Sequence, residues 1–97
     1  MVMDVPGGTT EQYDQVLELL PAARPPGLIS HVCAPTDRGL LVVDVWETQE
    51  ALDAFFVSGG FSAALTEAGI VEVQPRIYAI HDGSRYARPF MTSSIRP

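Results

Sequence analysis

The stretch Val42-Val43-Asp44-Val45-Trp46-Glu47-Thr48-Gln49-Glu50-Ala51-Leu52-Asp53-Ala54-Phe55-Phe56 changes its periodicity within a few residues. Up to Trp46 it is β-branched and aliphatic, the composition of a buried strand. From Thr48, a residue suited to an N-cap, Leu52, Phe55 and Phe56 recur at helical spacing. A strand therefore runs into an amphipathic helix almost without a loop, and the other elements fall around this junction.

Working outward, Val2–Val5 reads as a short first strand ended by Pro6-Gly7-Gly8. Thr9 with Gln12 has the spacing of a capping box, and Tyr13, Val16, Leu17 and Leu20 form one apolar stripe on the helix that follows. Pro21 and Pro25-Pro26-Gly27 stop that helix. Leu28–Ala34 is expected as a second strand, Pro35–Gly39 as a turn and Leu40–Trp46 as the third strand. The helix from Thr48 breaks at Gly59-Gly60, resumes through Phe61, Ala64, Leu65 and Ala68, and meets a C-terminal cap at Gly69. Val71–His81 reads as a long last strand, with Pro75 marking an edge or a bulge. The order βαββαβ, with a central hairpin, is that of an α+β, ferredoxin-like sandwich with an antiparallel sheet of order 4-1-3-2. Residues 1–82 form this domain, and 83–97 form a basic tail that docks on the body or on a partner.

An antiparallel sheet covered on one side alternates apolar and polar residues. Leu40, Leu41, Val42, Val43 and Val45 do not alternate. Two helices cover one face only, so a second copy of the sheet is expected on the other, giving a homodimer. The net charge of −6 argues against nucleic acid as a partner. The charge is uneven: residues 1–72 carry eleven acids against Arg24 and Arg38, whereas 73–97 carry Asp82 against Arg76, Arg85, Arg88 and Arg96. No apolar run reaches the roughly 20 residues of a membrane span, the N-terminus lacks the pattern of a signal peptide, and the single Cys33 leaves no internal disulfide. These point to a cytoplasmic protein without a membrane partner.

The Val-Trp-Glu-Thr junction, the Gln-Glu-Ala-Leu-Asp-Ala-Phe-Phe helix, the second helical segment and the final strand together resemble the dimeric α+β barrel superfamily. Within it, residues 1–82 look like the antibiotic-biosynthesis monooxygenase-like branch. The resemblance implies pairing of two sandwiches as a dimeric barrel. It also implies a small-molecule enzyme that oxygenates, cyclises or isomerises apolar aromatic substrates such as polyketides. The chain's apolar residues serve equally well as a plain core, so the alternative reading is a non-catalytic dimeric binding or accessory domain whose cavity is filled by its own side chains. Haem-degrading members place a second Trp nine positions after the junction Trp and a haem-ligating His nineteen positions after it, with an Asn on the first strand. Here those positions hold Phe55 and Leu65, and Val2–Val5 contains no Asn, so the haem ligand set is missing.

No complete catalytic motif is spelled out, and no His or Cys pair has metal-ligand spacing, so any chemistry is expected to be cofactor-free. Asp44 is the most informative residue, because a carboxylate in an aliphatic strand costs several kcal/mol unless paired or protonated. Its partner depends on the hairpin register. A loop of Pro35–Gly39 sets Ser30 opposite Asp44; a loop one residue shorter sets His31 there as a His–Asp dyad, because a one-residue slip flips every side chain. Pro35, unable to donate to a ladder, favours the longer loop. Candidate proton-transfer residues are Asp44, His31, Tyr78 and His81. A pocket of at least about 300 Å³ is expected between sheet and helices. Trp46, Phe55, Phe56, Phe61, Leu65 and Tyr13 would contact a substrate there, with Val16, Leu17, Leu20 and Leu52 completing the wall.

Overall fold

The computed structural model describes residues 1–58 and 60–83. In chain order the elements are β1 (Val2–Pro6), α1 (Thr10–Leu19), β2 (Leu28–Thr36), β3 (Gly39–Trp46), α2 (Gln49–Ser58), α3 (Phe61–Glu67) and β4 (Gln74–Arg76). The four strands form an antiparallel sheet ordered β2-β3-β1-β4, which from the other edge reads 4-1-3-2. The architecture is α+β, compatible with a ferredoxin-like fold.

Local chemistry explains the helix boundaries. Thr9 accepts from the N–H of Gln12 at 3.1 Å, and the Gln12 side chain accepts from the N–H of Thr9 at 3.0 Å, a complete capping box. Thr48 accepts from the N–H of Ala51 at 3.1 Å at the start of α2. Gly60 (φ +79) separates α2 from α3, and Gly69 (φ +82) closes α3. Alternation along β1 and β3 sends Met3, Val5, Leu40 and Val42 to one face, where they are buried with Val16 of α1 and Phe61, Ala64 and Ala68 of the α3 region. This face is the core.

The opposite face of the same strands is open. Val32 and Val43, which lie opposite one another, are 44% and 38% exposed, and Val2, Ala34, Leu41 and Val45 are half-buried around them. The only ion pair on this face among the described residues is that of Arg76 with Asp4, at 3.0 Å; both side chains are well solvated, so it adds little stability.

Two expectations are corrected. The hairpin takes the register expected of the shorter loop, and the loop is shorter still: Thr36 pairs with Gly39, and only Asp37 and Arg38 lie between them. Pro35 therefore sits within β2, opposite Leu40. It is tolerated because β2 is an edge strand, where a nitrogen without hydrogen can face away from the sheet. Gly39 fixes the turn. Its φ is +141, and a Cβ there would collide with the carbonyl of Val5 and the amides of Gly7 and Gly8. The second correction concerns the last strand, which spans Gln74–Arg76 rather than Val71–His81. Its only neighbour, β1, begins at Val2, which faces Arg76, so Ile77 and the residues after it run past the end of the ladder. Tyr78 and His81 consequently lie outside the sheet. The tail of residues 83–97, apart from Gly83, falls outside the described residues.

Candidate active site

The shorter hairpin loop puts His31 directly opposite Asp44, on the face turned toward the helices. Their contact is short, with Nδ1 of His31 2.5 Å from Oδ1 of Asp44. The other ring nitrogen, Nε2, lies 2.6 Å from the hydroxyl of Tyr13 on α1. The Tyr13 and His31 rings are nearly parallel, 8° apart in plane, with centroids 5.9 Å apart. Three elements, α1, β2 and β3, thus supply one continuous hydrogen-bonded chain. Each placement has a local cause. Tyr13 opens the apolar stripe that the capping box orients toward the sheet, His31 is placed by the hairpin register, and Asp44 alternates with Val42 and Trp46 along β3.

Burial is graded along this chain. The Asp44 side chain is 8% exposed and that of His31 33%. Burying Asp44 among aliphatics would be costly alone; His31 provides its partner. Taken as a carboxylate, Asp44 only accepts, so Nδ1 of His31 donates to it. Nε2 of the neutral ring then accepts from the Tyr13 hydroxyl. When the imidazole gains a proton, Nε2 becomes a donor to the Tyr13 oxygen, and the phenol proton is free to point elsewhere. The arrangement can therefore pass a proton between Tyr13 and His31 while Asp44 holds the tautomer and balances the charge. Burial, followed by the charges of ionised Cys33, of Asp44 and of Asp14, pushes the Tyr13 phenol above its ordinary range. Tyr13 is therefore a neutral donor at physiological pH. Cys33 is likewise raised, by burial first and then by Asp14 and Asp44, so its thiol is no ready nucleophile.

The chain opens into a cavity of about 980 Å³ between the sheet and the helices. All six expected contact residues, Tyr13, Trp46, Phe55, Phe56, Phe61 and Leu65, line it, as do Val16, Leu17 and Leu20. Leu52 does not; it is buried elsewhere, at 3% exposure. Trp46, Phe55 and Phe61 form a run of tilted rings, with centroids 5.4 Å and 4.9 Å apart. The indole N–H of Trp46 is the one buried side-chain polar atom among the described residues without a hydrogen-bond partner.

Of the four expected proton-transfer residues, the structure brings His31 and Asp44 together and leaves Tyr78 and His81 exposed and away from the cavity. The sequence reading placed Tyr13 among substrate contacts and missed that its hydroxyl completes the chain. Its position on the same stripe as Val16 and Leu20 was the available signal. The reading also missed the contribution of residues 21–27 to the cavity wall. Among the described residues, no three His, Cys, Asp or Glu side chains are grouped to hold a metal, and no helix is long and apolar enough to cross a membrane. Comparison with known proteins found no matching family model, no matching curated protein and no matching solved structure.

Proposed function

We propose that the chain is a small-molecule enzyme of the antibiotic-biosynthesis monooxygenase-like kind, acting on an apolar aromatic substrate by proton transfer without a redox cofactor. The observation that carries this reading is the Tyr13–His31–Asp44 chain opening into a large apolar cavity. A planar substrate with an acidic ring hydroxyl or activated methylene would lie against Trp46, Phe55 and Phe61. The relay would take up the substrate proton, with His31 as the base, Tyr13 as the group that hands the proton over, and Asp44 as the positioning residue. Desolvation by the apolar wall then leaves an electron-rich anion. Such an anion reduces dioxygen itself. One oxygen atom enters the ring as a carbonyl and the other leaves as water with the two hydrogens removed from the carbon. Where the substrate instead carries an electrophilic carbonyl, the same anion closes a ring or shifts a double bond.

The proposal includes a homodimer in which the open faces around Val32 and Val43 stack on each other, completing a two-sheet barrel. Unburied aliphatics on both β2 and β3 support it.

The test is a panel of anthrones, naphthols and related polycyclic phenols, with oxygen uptake and product spectra followed in the wild type, His31→Gln and Asp44→Asn. Oxygen uptake by the wild type, lost about 10²–10⁴-fold in both variants, is expected. Anaerobic conversion would direct the reading to cyclisation or isomerisation. Binding of no member of the panel, or unchanged turnover in His31→Gln, overturns it.

A further inference from the structure

The cavity wall holds a charged side chain that the proton relay does not use. Arg24 lies in the segment Pro21-Ala22-Ala23-Arg24-Pro25-Pro26-Gly27, every residue of which lines the cavity. This segment leads directly into Leu28, at the end of the sheet where Leu28 pairs with Trp46. It is anchored at its C-terminal end. The N–H of Leu28 donates to the carbonyl of Pro25 at 3.2 Å, and the N–H of Glu47 donates to that of Gly27 at 2.7 Å. Gly27 has φ +86 and packs on Ala51 so closely that a Cβ would not fit. Three prolines limit the remaining backbone freedom. Arg24 is therefore carried on a stiff rim.

Arg24 is the only permanently cationic side chain among the cavity-lining residues. It makes no ion pair and no hydrogen bond with a described residue, although the chain carries twelve acids against six cations. Glu47 also lines the cavity, yet it is farther than 4.0 Å from the guanidinium and forms no ion pair with it. Glu47, whose N–H holds Gly27, follows Asp44 by three residues, so at about 3.3 Å per strand residue the anchored end of this segment lies roughly 10 Å along the chain from the Asp44 backbone.

We propose that Arg24 receives an anionic substituent of the ligand, so that the substrate class is a planar aromatic acid. Its reacting hydroxyl or methylene lies at Tyr13, and its carboxylate lies one to three ring widths away at the rim. A guanidinium suits this task because its planar fork meets a carboxylate with two parallel hydrogen bonds. The inference rests on the cavity's being the substrate site.

The test uses two fluorescent probes that share one ring system: anilinonaphthalene sulfonate, which is anionic, and N-phenylnaphthylamine, which is neutral. Each is titrated against the wild type, Arg24→Gln and Arg24→Lys. The wild type is expected to prefer the anionic probe. Arg24→Gln weakens that probe by about tenfold and leaves the neutral one unchanged, while Arg24→Lys keeps part of the preference. Equal binding of both probes, or an Arg24→Gln variant that binds the anion as the wild type does, overturns the role of Arg24 and leaves the cavity reading standing. Failure of the wild type to bind either probe removes both.

Discussion

Strands β2 and β3 present two faces built from alternate residues of the same short stretches, and the faces differ in kind. The inner face carries His31, Cys33, Val42, Asp44 and Trp46; it contains the hydrogen-bonded chain to Tyr13 and much of the cavity wall. The outer face carries Val32, Ala34, Leu41, Val43 and Val45, apolar yet open. Polar groups are thus buried where helices cover the sheet, and aliphatic groups are exposed where no described residue covers it. This inversion separates two roles. The inner face tolerates Asp44 because a partner of matching geometry stands opposite, and the outer face gains by burying its valines against another surface.

Adjacent residues Val42 and Val43 offer the sharpest way to break the comparison. Val42 is 5% exposed, inside the core. Val42→Asp would bury a charge with no partner, a cost of several kcal/mol that rivals the whole stability of a small domain. Loss of the cooperative thermal transition by circular dichroism is expected. The same substitution at Val43 leaves a folded chain with a melting temperature within a few degrees of the wild-type monomer. It converts the proposed dimer to monomer in sedimentation equilibrium. A Val43→Asp protein that unfolds, or that keeps the mass of a dimer, would show that the outer face is not the surface described.

The next largest effect lies at Asp44, two residues from Val42 on the same face. Asp44→Asn keeps the volume and one acceptor but removes the charge that balances a protonated imidazole. Turnover is expected to fall about 10²–10⁴-fold, with stability changed by no more than about 1 kcal/mol because His31 retains access to water. Ionisation of the bound ligand, followed without oxygen by the absorbance of its phenolate, should disappear in the same variant. Retained ionisation would assign the substrate proton to another group.

The elements were legible because their signals are local: the Thr9–Gln12 box, the stop at Pro21, the Thr48 cap and the aliphatic run ending at Trp46. The two corrections share a cause. Pro35 carries a local prohibition against donating in a ladder, but whether that prohibition matters depends on β2 being an edge, which is a property of the assembled sheet. The long fourth strand looked plausible from Val71 to His81, yet strand length is limited by the partner, and β1 offers only three paired positions. The site followed the register. His31 and Asp44 stood out as residues, while their meeting depended on a single-residue choice at the turn, which Gly39 settles through close contacts with β1 and the turn after it. Tyr13 looked like an ordinary stripe residue because nothing in its own helix reports what lies across from its hydroxyl.

The smallest effect separates the two faces by pH alone. Tyr13 holds its proton more tightly when folded, first because of burial and then because of the nearby negative charges of Cys33, Asp44 and Asp14. The unfolded chain therefore releases that proton at lower pH. Stability linked to Tyr13 is complete below its ordinary value of 10.0 and is lost as pH rises through the higher folded value. Cys33 acts in the same direction, starting from 9.0. Thermal melting followed from neutral to strongly alkaline pH should show a decline that begins near the thiol range and steepens through the phenol range. Cys33→Ala should remove the earlier part and Tyr13→Phe the later, with Tyr13→Phe also deleting a step above the ordinary phenol range from the phenolate absorbance titration. Val43→Asp, on the outer face, should leave the alkaline slope of the monomer unchanged. If Tyr13→Phe declines as steeply as the wild type, the phenol is not held in the closed environment that the proton relay requires.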